Sequence, residues 1–187
     1  MARSKGSKRY SVPLKPYDKD RLIDEMKILG EFGLKNKREL WTIKKICDDY
    51  KVRAKDLLIS TNQDELIVSG RTLLSKLVKL GIISDVDYRD LEDIRSNLER
   101  VLDLSVEDFL ERRLQHRVFN SGLANSVHQA RAMIINRHIC VDGNVVDQPG
   151  FMVPVDKEGH IDFYKYSPLV SDKLGRSKKR KLKLQGE

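Results

Sequence analysis

Apolar residues recur at helical spacing through the first part of the chain, and this pattern predicts a series of amphipathic helices. The first predicted helix begins at Asp18 and ends near Gly33, a candidate C-cap. Its stripe consists of Leu22, Ile23, Met26 and Leu29. A longer helix is predicted after Asn36, which lies three residues before Glu39 in a capping-box-like arrangement. Its apolar face comprises Leu40, Ile43, Cys47, Tyr50, Ala54 and Leu57.

Two further helices complete the predicted helical region. The stretch "GRTLLSKLVKLGII" buries leucines at helical spacing and stops at Gly81. Ser84 is expected to open the next helix, "DVDYRDLEDIRSNLERVL", whose strong acidity is typical of a solvated helical face.

The last third of the chain changes its pattern partway. Ser105 with Asp108, and Ser126 with Gln129, form capping-box patterns that predict one helix ending at Gly122 and another after Ser126. From residue 139 the period becomes two, and Asp142-Gly143 between β-branched runs predicts a hairpin. The stretches "FMVPV" and "HIDFY" are expected to be further short strands.

This order predicts an α+β fold with four segments. They are a basic N-terminal tail at 1–17, a helical region at 18–104, a two-helix plus β-hairpin module at 105–168, and a basic C-terminal tail at 169–187. The helical region is expected to pack against the module. The two tails contain too few apolar residues to fold on their own.

Charge is distributed unevenly along the 187 residues, whose formal net charge is +8. Residues 1–60 carry sixteen Lys and Arg against nine Asp and Glu, and residues 169–187 carry seven against two. Residues 112–141 contain no acid at all, although the chain elsewhere is rich in acids. A basic balance of this kind indicates an anionic partner.

All five lysine or arginine positions in the acid-free window are arginine, and forked guanidinium groups suit bidentate phosphate contacts. Three histidines accompany them, and Ser126 opens a helix whose N-terminus could seat a phosphate. The window's predicted RNA contacts are Arg112, Arg113, His116, Arg117, Ser126, His128, Arg131, Arg137 and His138. Further predicted contacts on the helical region and the tails are Lys35, Lys37, Arg38, Lys44, Lys45, Arg3, Lys5, Lys8, Arg9, Lys178, Lys179, Arg180 and Lys181.

Catalytic and metal chemistry have no support in the sequence. No nucleophile elbow, glycine-rich phosphate loop or HExxH motif occurs. Cys47 and Cys140 lack metal-ligand spacing and are expected to be reduced, buried thiols. We expect no cofactor, no metal, no small-molecule substrate and no membrane partner, because apolar runs are too short to cross a bilayer. The N-terminus is not expected to be a secretory signal.

The stretch "SVEDFLERRLQHRVFNSGLANSVHQARAMIINRHICVDGNVV" resembles the S-four-type RNA-binding domain of small-subunit ribosomal protein four. The shared pattern is F-L-x-x-R-L, a Gly-Leu-Ala turn, Ser-x-x-x-A-R, and a His before a hairpin. The flanks "PYDKDRLIDEMKIL", "GEFGLKNKRELW" and "HIDFYKYSP" resemble the archaeal and eukaryotic branch of that family, which includes eukaryotic small-subunit protein nine.

The resemblance implies a structural constituent of the small ribosomal subunit, not an enzyme, that binds ribosomal RNA early in assembly. Its implied partners are that RNA and neighbouring ribosomal proteins, and its implied place is the cytoplasmic ribosome, with nuclear and nucleolar passage during assembly. The unusual acidity of residues 82–103 indicates contact with solvent or a neighbouring protein, and the acidic tip Asp142-Gly143 is expected to make no phosphate contact.

Two alternatives stay open at this point. The module also occurs in non-ribosomal RNA-binding proteins and in RNA-modifying enzymes, although an enzyme would need a separate catalytic domain. The stretch "VFNSGLANSVHQAR" also fits a helix-turn-helix DNA-binding regulator, which would discriminate duplex DNA sequences.

Overall fold

The computed structural model describes residues 8–84, 86 and 90–170. This part of the chain forms eight helices and a three-stranded antiparallel sheet, so the predicted α+β class is confirmed. The helices are α1 (Lys19–Glu31), α2 (Lys37–Ile59), α3 (Gln63–Leu80), α4 (Leu91–Leu102), α5 (Val106–Glu111), α6 (Leu114–Asn120), α7 (Val127–Ile135) and α8 (Val155–Glu158). The strands are β1 (Ile139–Val141), β2 (Asn144–Val145) and β3 (Ile161–Phe163).

Helices α2, α3 and α4 enclose the larger of two hydrophobic cores. Leu74, Leu77, Ile94 and Leu98 are completely buried there, and the close packing of α3 on α4 leaves no room for a side chain at Gly70. The predicted caps hold: the Asn36 side chain accepts a hydrogen bond from the Glu39 amide, and Gly81 ends α3 in the left-handed region. This helical assembly is the base on which the remainder of the chain packs.

Helix α1 lies at the edge of this core and departs from its predicted stripe. Ile23 and Met26 are 45% and 60% exposed, so they do not face the core. The buried residue of α1 is instead Glu25, which accepts a hydrogen bond from the Trp41 indole and pairs with Arg21 and Lys37. A buried carboxylate paired with three donors thus takes the place of the two apolar contacts predicted for Ile23 and Met26.

The smaller core lies between α6, α7 and the sheet. Strand β1 is central, with β2 and β3 antiparallel on either side of it. Asp142 and Gly143 have φ values of 54° and 76°, which confirms the predicted hairpin turn with positive φ at both central positions. Leu114, Ala130, Ile134 and other completely buried residues close this core against the sheet.

Three predicted elements are wrong in their bounds or type. Helix α4 begins at Leu91 after Asp90, and not at Ser84. The stretch "FMVPV" makes a single bridge between Met152 and Arg113 and then enters α8. The helix predicted from Ser105 to Gly122 is interrupted at 112–113, where it becomes α5 and α6.

The interruption has a visible cause in backbone hydrogen bonds. The Leu114 amide donates to the Phe151 carbonyl at 2.7 Å, and the Val153 amide donates to the Arg112 carbonyl at 3.0 Å. These bonds replace ones that a continuous helix would make within itself. A segment some forty residues later in the chain therefore decides where α5 ends.

No helix in the described part of the chain is long and apolar enough to span a membrane.

Candidate nucleic-acid interface

The acid-free window does not produce an acid-free surface. Each of its five arginines forms an ion pair with a carboxylate from another part of the chain. Glu39 comes from α2, Glu158 from α8, and Asp147 from the loop after β2. The prediction of a carboxylate-free array of guanidinium groups is therefore wrong, because folding brings in carboxylates that lie outside the window.

Glu39 is the centre of one cluster, which we call the Glu39 clamp: Glu39, Arg113, Gln115 and Arg131. Arg131 approaches the two Glu39 carboxylate oxygens at 2.6 and 3.1 Å, and Arg113 Nη2 lies 3.0 Å from Glu39 Oε2. Burial alone would raise the pKa of Glu39, but hydrogen bonds from Arg131 and Arg113 outweigh it and hold the pKa below its ordinary value. The clamp joins α2 to α6 and α7.

Gln115 completes the clamp, and sequence reasoning missed it. Its side chain is almost fully buried, and Nε2 lies within hydrogen-bonding distance of the carbonyls of Phe32, Gly33 and Val127. Its Oε1 accepts from Arg131 at 3.0 Å. The only signal in the sequence is that Gln115 follows the apolar Leu114 in a packing helix; two of its partners, Phe32 and Gly33, lie more than eighty residues earlier in the chain.

Arg112 and Arg117 form a second cluster around Glu158. Arg112 Nη1 lies 2.9 Å from Glu158 Oε2, and its Nη2 donates to the Val153 carbonyl at 3.0 Å. Arg117 contacts the other carboxylate oxygen of Glu158. Gly81, just after α3, packs against the Arg112 guanidinium and Val155, so this cluster connects α3 to α8.

Burial contradicts two predicted RNA contacts outright. Arg112 and Arg113 are only 7% and 5% exposed, so their guanidinium groups have almost no surface to offer a phosphate. Burial lowers the pKa of Arg113, and the hydrogen bond that Arg113 donates to Glu39 acts in the opposite direction. Both arginines belong to what we call the internal frame, which consists of the Glu39 clamp and the cluster of Arg112, Arg117 and Glu158.

The predicted contact His116 is half-buried between aromatic rings. Its ring centroid lies 5.1 Å from that of Phe32 and 6.3 Å from that of Phe119. Burial lowers its pKa, and its Nδ1 has no hydrogen-bond partner within the described residues. Arg117 and Arg131 are also mostly covered, and each is occupied by its carboxylate.

The other window residues retain accessible surface. Ser126 and His128 are exposed at the start of α7, and the Ser126 side chain accepts from the Gln129 amide as predicted. The reciprocal bond of the capping box shifts by one residue, because Gln129 Oε1 accepts from the Asn125 amide. Arg137 is exposed in a loose 3.3 Å pair with Asp147, while His138 Nδ1 lies 3.0 Å from the Ser167 hydroxyl.

Predicted contacts on the helical region gather near the start of α2. Gly33 packs against Val127, so the loop that carries Lys35 lies beside the start of α7. Arg38 lies 5.9 Å from the centre of the Tyr10 ring, and Lys45 donates to the Lys8 carbonyl, so the segment with Lys8 and Arg9 runs along α2. Lys37 forms an ion pair with Glu25.

The exposed members of this group, together with Ser126 and His128, are called the basic face below. Its members are Lys8, Arg9, Lys35, Arg38, Lys44, Ser126 and His128. None of the five lysines and arginines in it forms an ion pair with another described residue. The predicted contacts Arg3, Lys5, Lys178, Lys179, Arg180 and Lys181 lie outside the described residues.

No group of three histidine, cysteine or acidic residues in residues 8–84, 86 and 90–170 is arranged to hold a metal ion. Cys47 and Cys140 are buried free thiols, as predicted.

Residues 112–158 match the family model of the S4 domain, an RNA-binding domain found in the ribosomal protein S4 family and in other proteins. The match begins at the interruption between helices α5 and α6, and it contains α6, α7, the β1–β2 hairpin and α8. The segment is therefore an RNA-binding module, and the partner it implies is RNA. Other carriers of this domain include enzymes such as pseudouridine synthases.

Proposed function

We propose that this protein is a structural constituent of the small ribosomal subunit that binds ribosomal RNA early in assembly. The observation that carries the proposal is the junction between the S4 domain and the helical region. Gly33 and Glu39, which make this junction, both lie in the segment that resembles the archaeal and eukaryotic branch of the ribosomal family. The flanking region thus has a definite physical task in presenting the RNA-binding module.

The basic face is the proposed RNA-binding surface. Its cations are exposed and unpaired among the described residues, so they can exchange bound counterions for RNA phosphates without first breaking an internal ion pair. Arg38 can offer a planar fork to a phosphate, and the first amides of α7 add donors beside Ser126 and His128. Folded RNA would be recognised here by shape and phosphate position.

The buried arginines have a supporting part in this proposal. The Glu39 clamp fixes α7 against α2, and these helices carry Arg38 and Lys44 on one side and His128 on the other. Ion pairs of this kind, partly shielded from water, hold a definite geometry because breaking them leaves a buried charge without a partner. The arrangement keeps the spacing between Arg38 and His128 constant before RNA arrives.

The remaining assignments follow from the proposed function. Neighbouring ribosomal proteins are further partners, and the acidic helix α4 is the surface proposed to meet one of them or solvent. The proposed location is the cytoplasmic ribosome, reached after nuclear and nucleolar assembly. The proposal gives the chain no catalytic step, cofactor or small-molecule substrate.

Co-sedimentation tests the ribosomal assignment. A tagged full-length chain, expressed in cells and fractionated on a sucrose gradient, is expected to migrate with small subunits and with their precursors. If the chain, expressed at a normal level, stays in the light fractions and does not migrate with small subunits or their precursors, the assignment is contradicted. Competition between small-subunit ribosomal RNA and duplex DNA separates the proposal from a helix-turn-helix regulator, since tighter binding to DNA would favour the regulator.

A further inference from the structure

The outer side of the three-stranded sheet carries a second cluster of chemistry, away from the basic face. Ile139, Val141 and Ile161 belong to the smaller core, and Cys140 and Asp162, which pair with each other in the β1–β3 register, alternate with them. Cys140 and Asp162 therefore lie on the opposite side of the sheet. A hollow of about 460 Å³ opens there, within the usual size range of ligand sites.

Aromatic rings form one wall of this hollow. Tyr164 and Tyr166 contact each other edge to face, with centroids 5.5 Å apart and an interplanar angle of 68°. Tyr166 is 77% exposed, and a tyrosine ring held by a neighbouring ring but open to solvent offers a flat face for stacking. Tyr164 also lines a neighbouring hollow of about 410 Å³ with Arg137 and Asp147.

Charged groups surround the rings in a way that suits a nucleotide. Lys165 Nζ lies 5.9 Å from the centre of the Tyr166 ring, and Lys165 forms no ion pair with any described residue. His160 lines the same hollow, and Arg137 lies beyond Tyr164. Asp162 places an exposed carboxylate near the rings, where it can accept a hydrogen bond from the amino group of a base.

We infer that this hollow binds one unpaired RNA base, stacked on Tyr166, with the adjoining phosphate held by Lys165. We call it the Tyr166 site. An exposed aromatic face beside a lysine without an ion pair among the described residues is an arrangement by which proteins hold single-stranded nucleic acid. The inference rests on the proposed RNA-binding function and adds to it a specific contact with a single-stranded nucleotide.

The test uses the full-length chain and two probe RNAs that differ in one feature. One is a blunt duplex, and the other is the same duplex with a single-stranded overhang that contains a fluorescent purine analogue. Wild type is expected to bind the overhang RNA about tenfold more tightly and to quench its fluorescence, since stacking on one aromatic ring has an effect of this order. Tyr166→Leu is expected to lose both the preference and the quenching while it keeps its affinity for the blunt duplex.

Two control variants make the readout specific. Tyr166→Phe keeps the ring and is expected to retain the preference. Tyr17→Leu removes another tyrosine that is 90% exposed but lies beside α1 and does not line the hollow, and it is expected to change nothing. Two results for Tyr166→Leu would overturn the inference: unchanged affinity for the overhang RNA, or an equal loss of affinity for both RNAs. Either result would leave the proposed function standing. Failure of wild type to bind either RNA would overturn both.

Discussion

The carboxylate of Glu39 contacts guanidinium groups that enter the chain 74 and 92 residues later. Asn36 fixes its position by capping α2, so that Glu39 lies in the first turn of that helix. From the sequence, Glu39 is a helix-capping residue. In the structure its side chain turns to Arg113 and Arg131 instead of reaching back to the cap.

Glu39→Gln is expected to destabilise the fold by about 2–4 kcal/mol, because it leaves Arg113 and Arg131 partly buried without a counter-charge. Urea unfolding followed by circular dichroism measures this difference in the free energy of unfolding. Asp24→Asn is the matched control, since the Lys27–Asp24 pair is exposed and its loss is expected to cost less than about 0.5 kcal/mol. Equal stabilities for the two variants would show that the clamp contributes nothing.

His116 is expected to make the stability of the fold depend on pH. Burial lowers its pKa in the folded state, so the unfolded chain takes up a proton first as the pH falls. The free energy of unfolding contributed by this residue is therefore complete above pH 6.5, the ordinary pKa, and is lost progressively below it.

His116→Phe keeps an aromatic ring between Phe32 and Phe119 but cannot titrate, so it is expected to flatten this pH dependence. Thermal unfolding of both proteins over a pH series measures the effect. The pKa of Glu39 is also lowered, and its stabilising contribution is lost only as the pH falls below 4.5, which separates the two effects. Parallel pH profiles for wild type and His116→Phe would contradict the assignment.

Local sequence patterns predicted the larger elements well where neighbours in the chain decide them. The caps at Asn36, Ser105 and Gly81 depend on residues close by in the chain, and all three are confirmed. The break between α5 and α6 could not be read, because backbone groups of 149–153 impose it from far along the chain. The buried face of α1 could not be predicted locally either. Glu25 is buried there instead of Ile23 and Met26, because it pairs with Trp41 and two cations.

The β1–β2 hairpin offers a test at the scale of one element. Gly143→Ala is expected to destabilise the protein by about 1 kcal/mol, since φ is 76° and an L-residue is strained there although space is open. Gly159→Ala is the control, because its space is also open but its φ is −70°, so its stability is expected to be unchanged or slightly raised. Thermal unfolding measures both, and equal effects would exclude a role for backbone strain at the turn.

Across the whole molecule, charge takes two different roles that the sequence does not separate. The acid-free window correctly marked the RNA-binding module, since the S4 match begins at its first residue. Four of its five arginines are mostly covered, because their partners Glu39 and Glu158 lie outside the window and reach them only on folding. Exposed residues with weaker individual signals, such as Lys35 and His128, remain as the candidates for RNA contact.

The salt dependence of RNA binding tests the division between the basic face and the internal frame most directly. Affinity for small-subunit ribosomal RNA is measured over a series of salt concentrations for wild type, Lys35→Ala, Arg38→Ala and Lys55→Ala. Lys55 is the control, an exposed cation on α2 about 25 Å along the helix from Arg38. Lys35→Ala and Arg38→Ala are each expected to make the slope shallower by about 0.7–0.9, the effect of one lost phosphate contact, while Lys55→Ala leaves it unchanged. Wild-type slopes in both basic-face variants would contradict the account.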